Sequence, residues 1–592
     1  MKTYHCKVFD SAGTYINTWN DATFQGFTKT INGGLGEAVV SLARPFDNFG
    51  EGEDVKLNNE VQIWLSDRDT PAEGTLIYSG YISAYNPYVN DKGQGVNVTL
   101  LGYVTKLSQD VYREPYTCLN FVAANNDYAS AADDAAHDVT SALTVECWVK
   151  HTTAQDAGII IHDLSAYKYL FYISTNSTSF NFIVVTASGE KVIKAERATG
   201  WNDGNWHHVA CVWNKPQLRI FVDGKLMQEI TGYNEDILAG DEGIVVGKFA
   251  SSAYFNGQIM NIRISNTARR DDEIAMNWKR GGKLPADTGA VAVYHCDEGT
   301  GGTCDDETTN NKDLTLSTPD WLTAQQARST IVKTAEDPAT MLEEAITQYR
   351  ANNPAAKLNY TAASIDATST TRSYIFQSLF YDEVFGIIKD LSPANWYWYV
   401  GADNIVHFHL KPAAATHNFI YKRHIKSLNV FKNMEQIVNA YLFKGGANGL
   451  NLFKNYVDAA SAALYERRVQ KKSDSRVTDQ TTADSWADSA LDELAAPIVK
   501  TVVEIADNNY DPKCGYDIDS INPGDTCRFL NLDTVTSKTF GDNMLITRVD
   551  YAPEKVILEV ESVVPDLATT LYLTQKRINE RETTDVPPFY IE

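Results

Sequence analysis

Between Tyr4 and Leu107 apolar and polar residues alternate in short runs separated by turn residues. Residues 61–65, 76–78, 81–83 and 96–100 have the length and period of β-strands. Asn32-Gly33-Gly34, residues 47–52 and Asp91-Lys92-Gly93 supply the turns. No apolar stripe keeps a helical period for ten residues or more, so this part predicts a small β-barrel or sandwich over residues 1–115.

Residues 116–328 are also strand-rich. The runs at 143–149, 158–161, 169–173, 180–185, 208–213 and 218–222 are apolar or alternating, and Asp223-Gly224 directly after the last of these is a hairpin signal. A helix is expected over 271–279, with Asp271, Asp272 and Glu273 at the positive end of its dipole.

Beyond residue 329 the pattern becomes mixed. Residues 338–350 predict a helix capped by Asp337, begun by Pro338 and apolar along Met341, Leu342, Ala345, Ile346 and Tyr349. Further helices are expected over 377–391 and 482–494. Strands are expected at 396–400, 405–409, 543–549 and 556–560, and an extended tail after Thr574. On the first of these strands Trp396 and Trp398 alternate with Tyr397 and Tyr399, which predicts one face in the core and one against a neighbour. The expected fold class is therefore mixed β and α+β, in four domains at 1–115, 116–328, 329–470 and 471–592.

Composition narrows the function. With 592 residues, 43% hydrophobic and 22% charged, the chain is an ordinary multidomain globular protein. Its formal charge of -24 argues against sequence-specific nucleic-acid binding and against an anionic bilayer. No window of about 18 apolar residues predicts a membrane span, and residues 1–20 lack the apolar core of a secretion signal. The eight cysteines show no CxxC or zinc spacing, so buried thiols are expected; Cys296 and Cys304 bracket a Gly-rich turn and could pair where the environment oxidises.

Two resemblances interleave. Leu119-Asn120-Phe121, Asn126-Asp127-Tyr128, residues 143–149, 204–210, 220–226 and 255–259, Asn261 to Asn266, and residues 297–301 resemble, in order, the laminin-G-like (concanavalin A-like) jelly roll. The flanking parts resemble tail hub proteins of tailed bacteriophages, at the baseplate hub or tail tip. The carrying residues are Gly80-Tyr81-Ile82, residues 98–102, Val438-Asn439, Lys444-Gly445-Gly446, Tyr465 to Arg468, Ile521 to Asp525, and residues 546–549 and 556–560. Together these imply a tube-like β-barrel, a jelly roll inserted at 116–328, and an α+β hub body ending in a second barrel-like domain. The hub resemblance further implies a homotrimer, a place in the virion tail, and as partners a distal tail or tail-tube ring protein, a tape-measure protein and tail-tip fibre or spike proteins. The jelly roll implies contact with a host cell-surface glycan. The alternatives are a free non-catalytic carbohydrate-binding or adhesion protein, and the hub of a phage-like injection particle.

No catalytic motif stands out. Glu-x-Asp-x-x-Glu on a strand, Gly-x-Ser-x-Gly, a Walker loop and His-Glu-x-x-His are all absent, so no enzyme is expected. In such jelly rolls sugars stack on aromatic rings beside polar groups, which singles out Tyr167 and Tyr169 in one loop and Trp201 with Asp203 in another. Asn126 and Asp127 lie where many laminin-G-like domains hold Ca2+, an ion that takes six to eight oxygen ligands. His207-His208 belongs to the jelly-roll strand pattern. His407 and His409, two apart on a strand, share a face in a metal-compatible arrangement, with no third ligand suggested nearby.

Overall fold

A computed structural model describes residues 3–45, 53–66, 74–90, 93–115, 117–174, 176–249, 253–280, 283–322, 327–328, 330–433, 437–445, 452–474, 476–477, 479–532 and 540–561. The chain is predominantly β and divides into two compact units. One comprises residues 1–112, 333–374 and 378–592; the other comprises 113–332 with 375–377.

In the first unit alternation builds one large sheet. Its strands run in the order Tyr15–Trp19, Thr3–Phe9, Glu60–Ser66, Thr75–Asn90, Gly93–Gly102, Leu35–Leu42, Ala22–Thr30, Phe540–Ala552, Lys555–Glu561, Ile498–Ala506 and Ile425–Asn433. The first and last stretches of the unit are therefore neighbours, with Ala22–Thr30 antiparallel to Phe540–Ala552. They share one core, in which Phe24, Val40, Val98, Val503, Val549 and Leu558 are buried together. This corrects the expectation of separate first and last barrels: the strands belong to one sheet, and among the described residues no pairing closes it. The two short strands expected at 76–78 and 81–83 are one strand, Thr75–Asn90. Gly80 lies within that strand, and its missing side chain lets the neighbouring strand approach, since a Cβ there would meet Leu101 O at 2.5 Å.

The helices of this unit follow local chemistry. Pro338–Asn352 begins at Pro338, is capped by Asp337 accepting from the Ala339 N–H, and buries Met341, Leu342, Ala345, Ile346 and Tyr349. The helix Gln480–Leu494 is capped by Asp479. The helix expected from residue 377 begins later, as Tyr381–Leu391, because residues 372–377 form a strand and Ser378 turns the chain at φ 50°. Strands Trp396–Val400 and Val406–Leu410 pair as a hairpin. Trp396, Tyr397 and Trp398 are buried within the unit, while Tyr399 and the two histidines that share its face are half-buried. Trp396 packs on Phe408 and Trp398 on Phe385, while Tyr397 lies in a cluster with Ile31 and Leu545.

The second unit is a two-sheet sandwich. One sheet runs Gly189–Glu196, Ser179–Thr186, Tyr169–Ser174, Ala157–His162, Ile244–Val246, Tyr128–Ser130, Leu314–Ser317 and Thr303–Cys304. The other runs Lys225–Thr231, Gln217–Val222, His207–Asn214, Ala142–Lys150, Gly257–Ser265, Cys118–Phe121 and Asp320–Leu322, with Ala290–Tyr294 also on Gly257–Ser265. The core between them contains Phe121, Val145, Phe171, Phe182, Trp213, Ile220, Ile262 and Tyr294. Asp223 and Gly224 turn the hairpin between Gln217–Val222 and Lys225–Thr231 with φ of 51° and 72°, as a two-residue turn of this type requires. Glu114–Pro115 pairs antiparallel with Ala327–Arg328, so the ingoing and outgoing chain run side by side. That is the geometry under which a domain can be inserted within another.

Candidate functional site

The two sheets of the sandwich differ in what covers their outer faces. Helix Asp271–Arg280 lies over the second sheet, with Ile274 buried against Ala210, Val212 and Phe221. Beneath it is a fully buried ionic group. The Glu146 carboxylate accepts from Arg263 (Nη2, 2.6 Å) and Asn277 (Nδ2, 2.9 Å) and lies 3.4 Å from His208 Nε2. Burial opposes its charge, but Arg263 and His208 outweigh that and pull its pKa down to about 2. The exposed Asp287 adjoins the group from outside, bound by Arg269 and 3.5 Å from Arg263.

The outer face of the first sheet carries rings. Leu170 and Tyr172 alternate with Tyr169, Phe171 and Ile173, so the two sets point to opposite sides. Ile161, Leu170 and Ile183 form the base of an apolar cluster on this face, and Tyr167, Tyr172, Val185, Val192 and Phe249 complete it while remaining half-buried. Phe249 lies nearly parallel to Tyr172 (6.0 Å, 28°) and edge-on to Tyr167 (6.1 Å, 68°). Gly158 makes the approach possible: a Cβ there would sit 2.5 Å from Lys248 O and 2.7 Å from Phe249 Cβ. At the rim the Tyr167 hydroxyl donates to Glu190 Oε1, a bond that pushes its pKa up to about 12. Beside Phe249, the Lys248 ammonium sits 4.6 Å from the Tyr128 ring and 5.2 Å from the Tyr254 ring. Ring faces with charged and hydroxyl groups at their edge can stack a sugar and orient its hydroxyls.

Of the residues singled out in the sequence, only Tyr167 belongs to this platform. Tyr169 is a core ring, 1% exposed and stacked on His162 at 4.8 Å. Trp201 is 5% exposed, stacked on Phe180 at 5.2 Å, and donates to Ala195 O. Asp203 supports that corner, accepting from Arg197 and the Asn205 N–H and facing His207 Nε2 at 3.2 Å. Burial opposes its charge, but these donors hold its carboxyl well below the usual range. His207 is held between Asp203 and Asp223, which together overcome its burial and raise its pKa. Tyr172 and Phe249 were missed. The two-residue period from Leu170 marks Tyr172, but nothing in sequence marks Phe249, whose place depends on a hairpin crossing Gly158.

Asn126 and Asp127, singled out for Ca2+, are both engaged within the fold. Asn126 occupies the left-handed cap of a short turn at φ 62°. Asp127 is 1% exposed, and both of its oxygens accept from protein donors, Oδ2 from the Val122 N–H at 2.7 Å and Oδ1 from Thr318 Oγ1 at 2.6 Å. Among the described residues no three or more His, Cys, Asp or Glu side chains are grouped to hold a metal. Cys296 and Cys304 are both buried free thiols, and hydrogen bonding between them together with burial raises the Cys304 pKa.

Residues 123–275 match the family described as Concanavalin A-like lectin/glucanases superfamily. Over these residues the sandwich is similar to concanavalin A-like domains. No curated protein matches the chain. Among solved structures it is similar to the prophage MuSo2 43 kDa tail protein from Shewanella oneidensis, with 7% identity, TM-score 0.39, and 95% of this chain and 98% of that one covered. It is also similar to the prophage tail protein gp18 from Listeria monocytogenes EGD-e, with 7% identity, TM-score 0.36, and 97% and 98% covered. A candidate carbohydrate binding protein from Bacteroides ovatus ATCC 8483 matches at 14% identity and TM-score 0.30, over 52% of this chain and 94% of that one.

The first unit has a cavity of its own, about 620 Å³, lined among others by Lys29, Tyr399, Asn508, Asp517, Asp519 and Asn522. Burial pushes the Lys29 ammonium down to about 8, against the attraction of Asp519 and Asp525. The lining is mixed in sign, so it selects no one ligand charge. No helix among the described residues is long and apolar enough to cross a membrane.

Proposed function

We propose that this chain is a structural, non-catalytic protein of a phage tail, acting at the tail tip or baseplate hub, and that its inserted sandwich binds a host-surface glycan. The observation that carries this reading is the nesting. A concanavalin A-like domain leaves and rejoins the chain through one paired strand, Glu114–Pro115 with Ala327–Arg328, interrupting a scaffold whose first and last strands share a sheet. A scaffold continuous on both sides of an insert can assemble while the insert is presented. The ordered hub-like segments in the flanks support assembly as a homotrimer on a tail-tube ring protein, with tape-measure and fibre or spike proteins as further partners. The ring platform of Tyr167, Tyr172 and Phe249 supports the glycan contact. A non-catalytic sandwich is supported by Glu146, which is locked to Arg263 and Asn277 beneath a helix instead of facing the platform. Many copies of a weak contact on one particle would give avidity without a tight single site.

The test is native mass together with glycan-array and whole-cell binding by the full chain. A trimer that binds glycans supports both halves of the proposal. A monomer that binds a glycan tightly by itself indicates a free lectin, and release of reducing ends from a bound polysaccharide indicates an enzyme.

A further inference from the structure

Outside the sandwich, one pair of side chains has the spacing of a chelate. His407 and His409 lie on strand Val406–Leu410, opposite Tyr399 and Tyr397 on the paired strand. The His407 ring stacks on Tyr399 at 4.6 Å and 6°, which fixes its plane. His409 Nδ1 lies 2.8 Å from Asp366 Oδ2. A carboxylate accepts, so this nitrogen carries the proton, and in the neutral ring Nε2 then presents its lone pair. That lone pair points toward His407 Nδ1 at 3.4 Å. With no metal bound this is a long hydrogen bond in which His407 Nδ1 donates. Its length equals the gap between two imidazole nitrogens that share a tetrahedral zinc ion at about 2.05 Å each, roughly 3.3–3.4 Å.

We infer that His407 Nδ1 and His409 Nε2 form a two-nitrogen site for a divalent transition metal of the zinc or copper class, with Asp366 orienting His409 from behind. A carboxylate that holds the far nitrogen of a metal-ligating histidine fixes the ring and strengthens its lone pair. Both histidines are half-buried and Asp366 is exposed, so an ion can reach the pair from solvent. Since no group of three or more His, Cys, Asp or Glu placed to hold a metal occurs among the described residues, the remaining positions would be taken by water. The site does not depend on the glycan reading, because all three residues belong to the first unit.

The experiment uses the untagged full-length chain titrated with Zn2+ alone, followed by calorimetry and by thermal unfolding. The expected result is one binding event per chain and a Tm that rises with Zn2+ and saturates. His407→Gln should abolish that rise, and Asp366→Asn should weaken binding about 10–100-fold while leaving metal-free Tm nearly unchanged. Co2+ or Cu2+ spectra of the wild-type chain provide a readout independent of any variant, with imidazole nitrogen signals expected. Absence of a saturable Zn2+ event, an equal response in His407→Gln, or spectra lacking nitrogen ligation would each overturn the site.

Discussion

Phe27 and Tyr551, from opposite ends of the chain, are direct cross-strand partners whose rings stack at 5.0 Å and 22°. The contact is close because Gly26 precedes it: at φ 138°, a Cβ on Gly26 would stand 2.2 Å from Tyr551 O. Beside it the Tyr551 hydroxyl donates to Asp519 and meets the Tyr4 hydroxyl at 3.1 Å. This is where the first and last parts of the scaffold join into one sheet.

Gly26→Ala should therefore be far more damaging than Gly93→Ala. Both glycines sit at φ 138°, but Gly93 has open space around the added methyl. Strain alone costs about 1–3 kcal/mol. The collision with a backbone carbonyl should bring Gly26→Ala to about 4 kcal/mol or more. Urea unfolding of the two variants, compared with wild type, measures the difference; equal losses would refute the account of this junction.

Glu146→Ala should destabilise the sandwich by about 3–5 kcal/mol, because it strips the buried Arg263 guanidinium of its closest carboxylate. Replacing the carboxylate also changes the acid response. The folded pKa of Glu146 is depressed to about 2 from an ordinary value near 4.3. Its stabilisation is thus present above about pH 4.3 and lost as pH falls toward 2. A wild-type chain whose unfolding free energy stayed level between pH 5 and 2 would contradict this.

Two buried histidines work in a higher pH window. Burial pushes His151 and His162 down to about 4. His162 is faced by Asp138, Asp163, Asp133 and His137, and its charged form remains disfavoured despite the three carboxylates. Both bind protons more readily when unfolded, near the ordinary value of about 6.5, so their contribution is intact above that pH and lost as pH falls through 4. The sandwich Tm should decline over this range, and His162→Gln should flatten the decline; an unchanged slope would rule His162 out as a cause.

Tyr172→Ala and Phe249→Ala should each weaken glycan binding by about tenfold, the effect of losing an aromatic anchor worth a little over 1 kcal/mol. Trp201→Phe should leave binding intact and lower Tm, since that ring stacks on Phe180 inside the core. Glycan-array titrations beside thermal unfolding separate the two outcomes, and loss of binding in Trp201→Phe at unchanged Tm would move the site to the Trp201 corner.

Many of the strands, the three longer helices (one of them starting later than expected) and the hairpin at Asp223-Gly224 were legible in the sequence, because alternation, capping and turn chemistry act between residues a few positions apart. So was the jelly-roll stretch, whose carrying segments follow one another in order and overlap the matched residues 123–275. Which strands became neighbours was not legible: pairing Ala22–Thr30 with Phe540–Ala552 depends on contacts across the whole chain, and it merged two expected barrels into one sheet. Side-chain roles were decided in the same way. Tyr169 and Trp201 have the chemistry of sugar-stacking rings but were drawn into the core, and Asp127 has the chemistry of a calcium ligand but gave both oxygens to Val122 and Thr318. Residue type and local period are written along the chain. The burial of a ring, the donors that reach a carboxylate, and the 3.4 Å between His407 and His409 arise only when distant segments close upon one another.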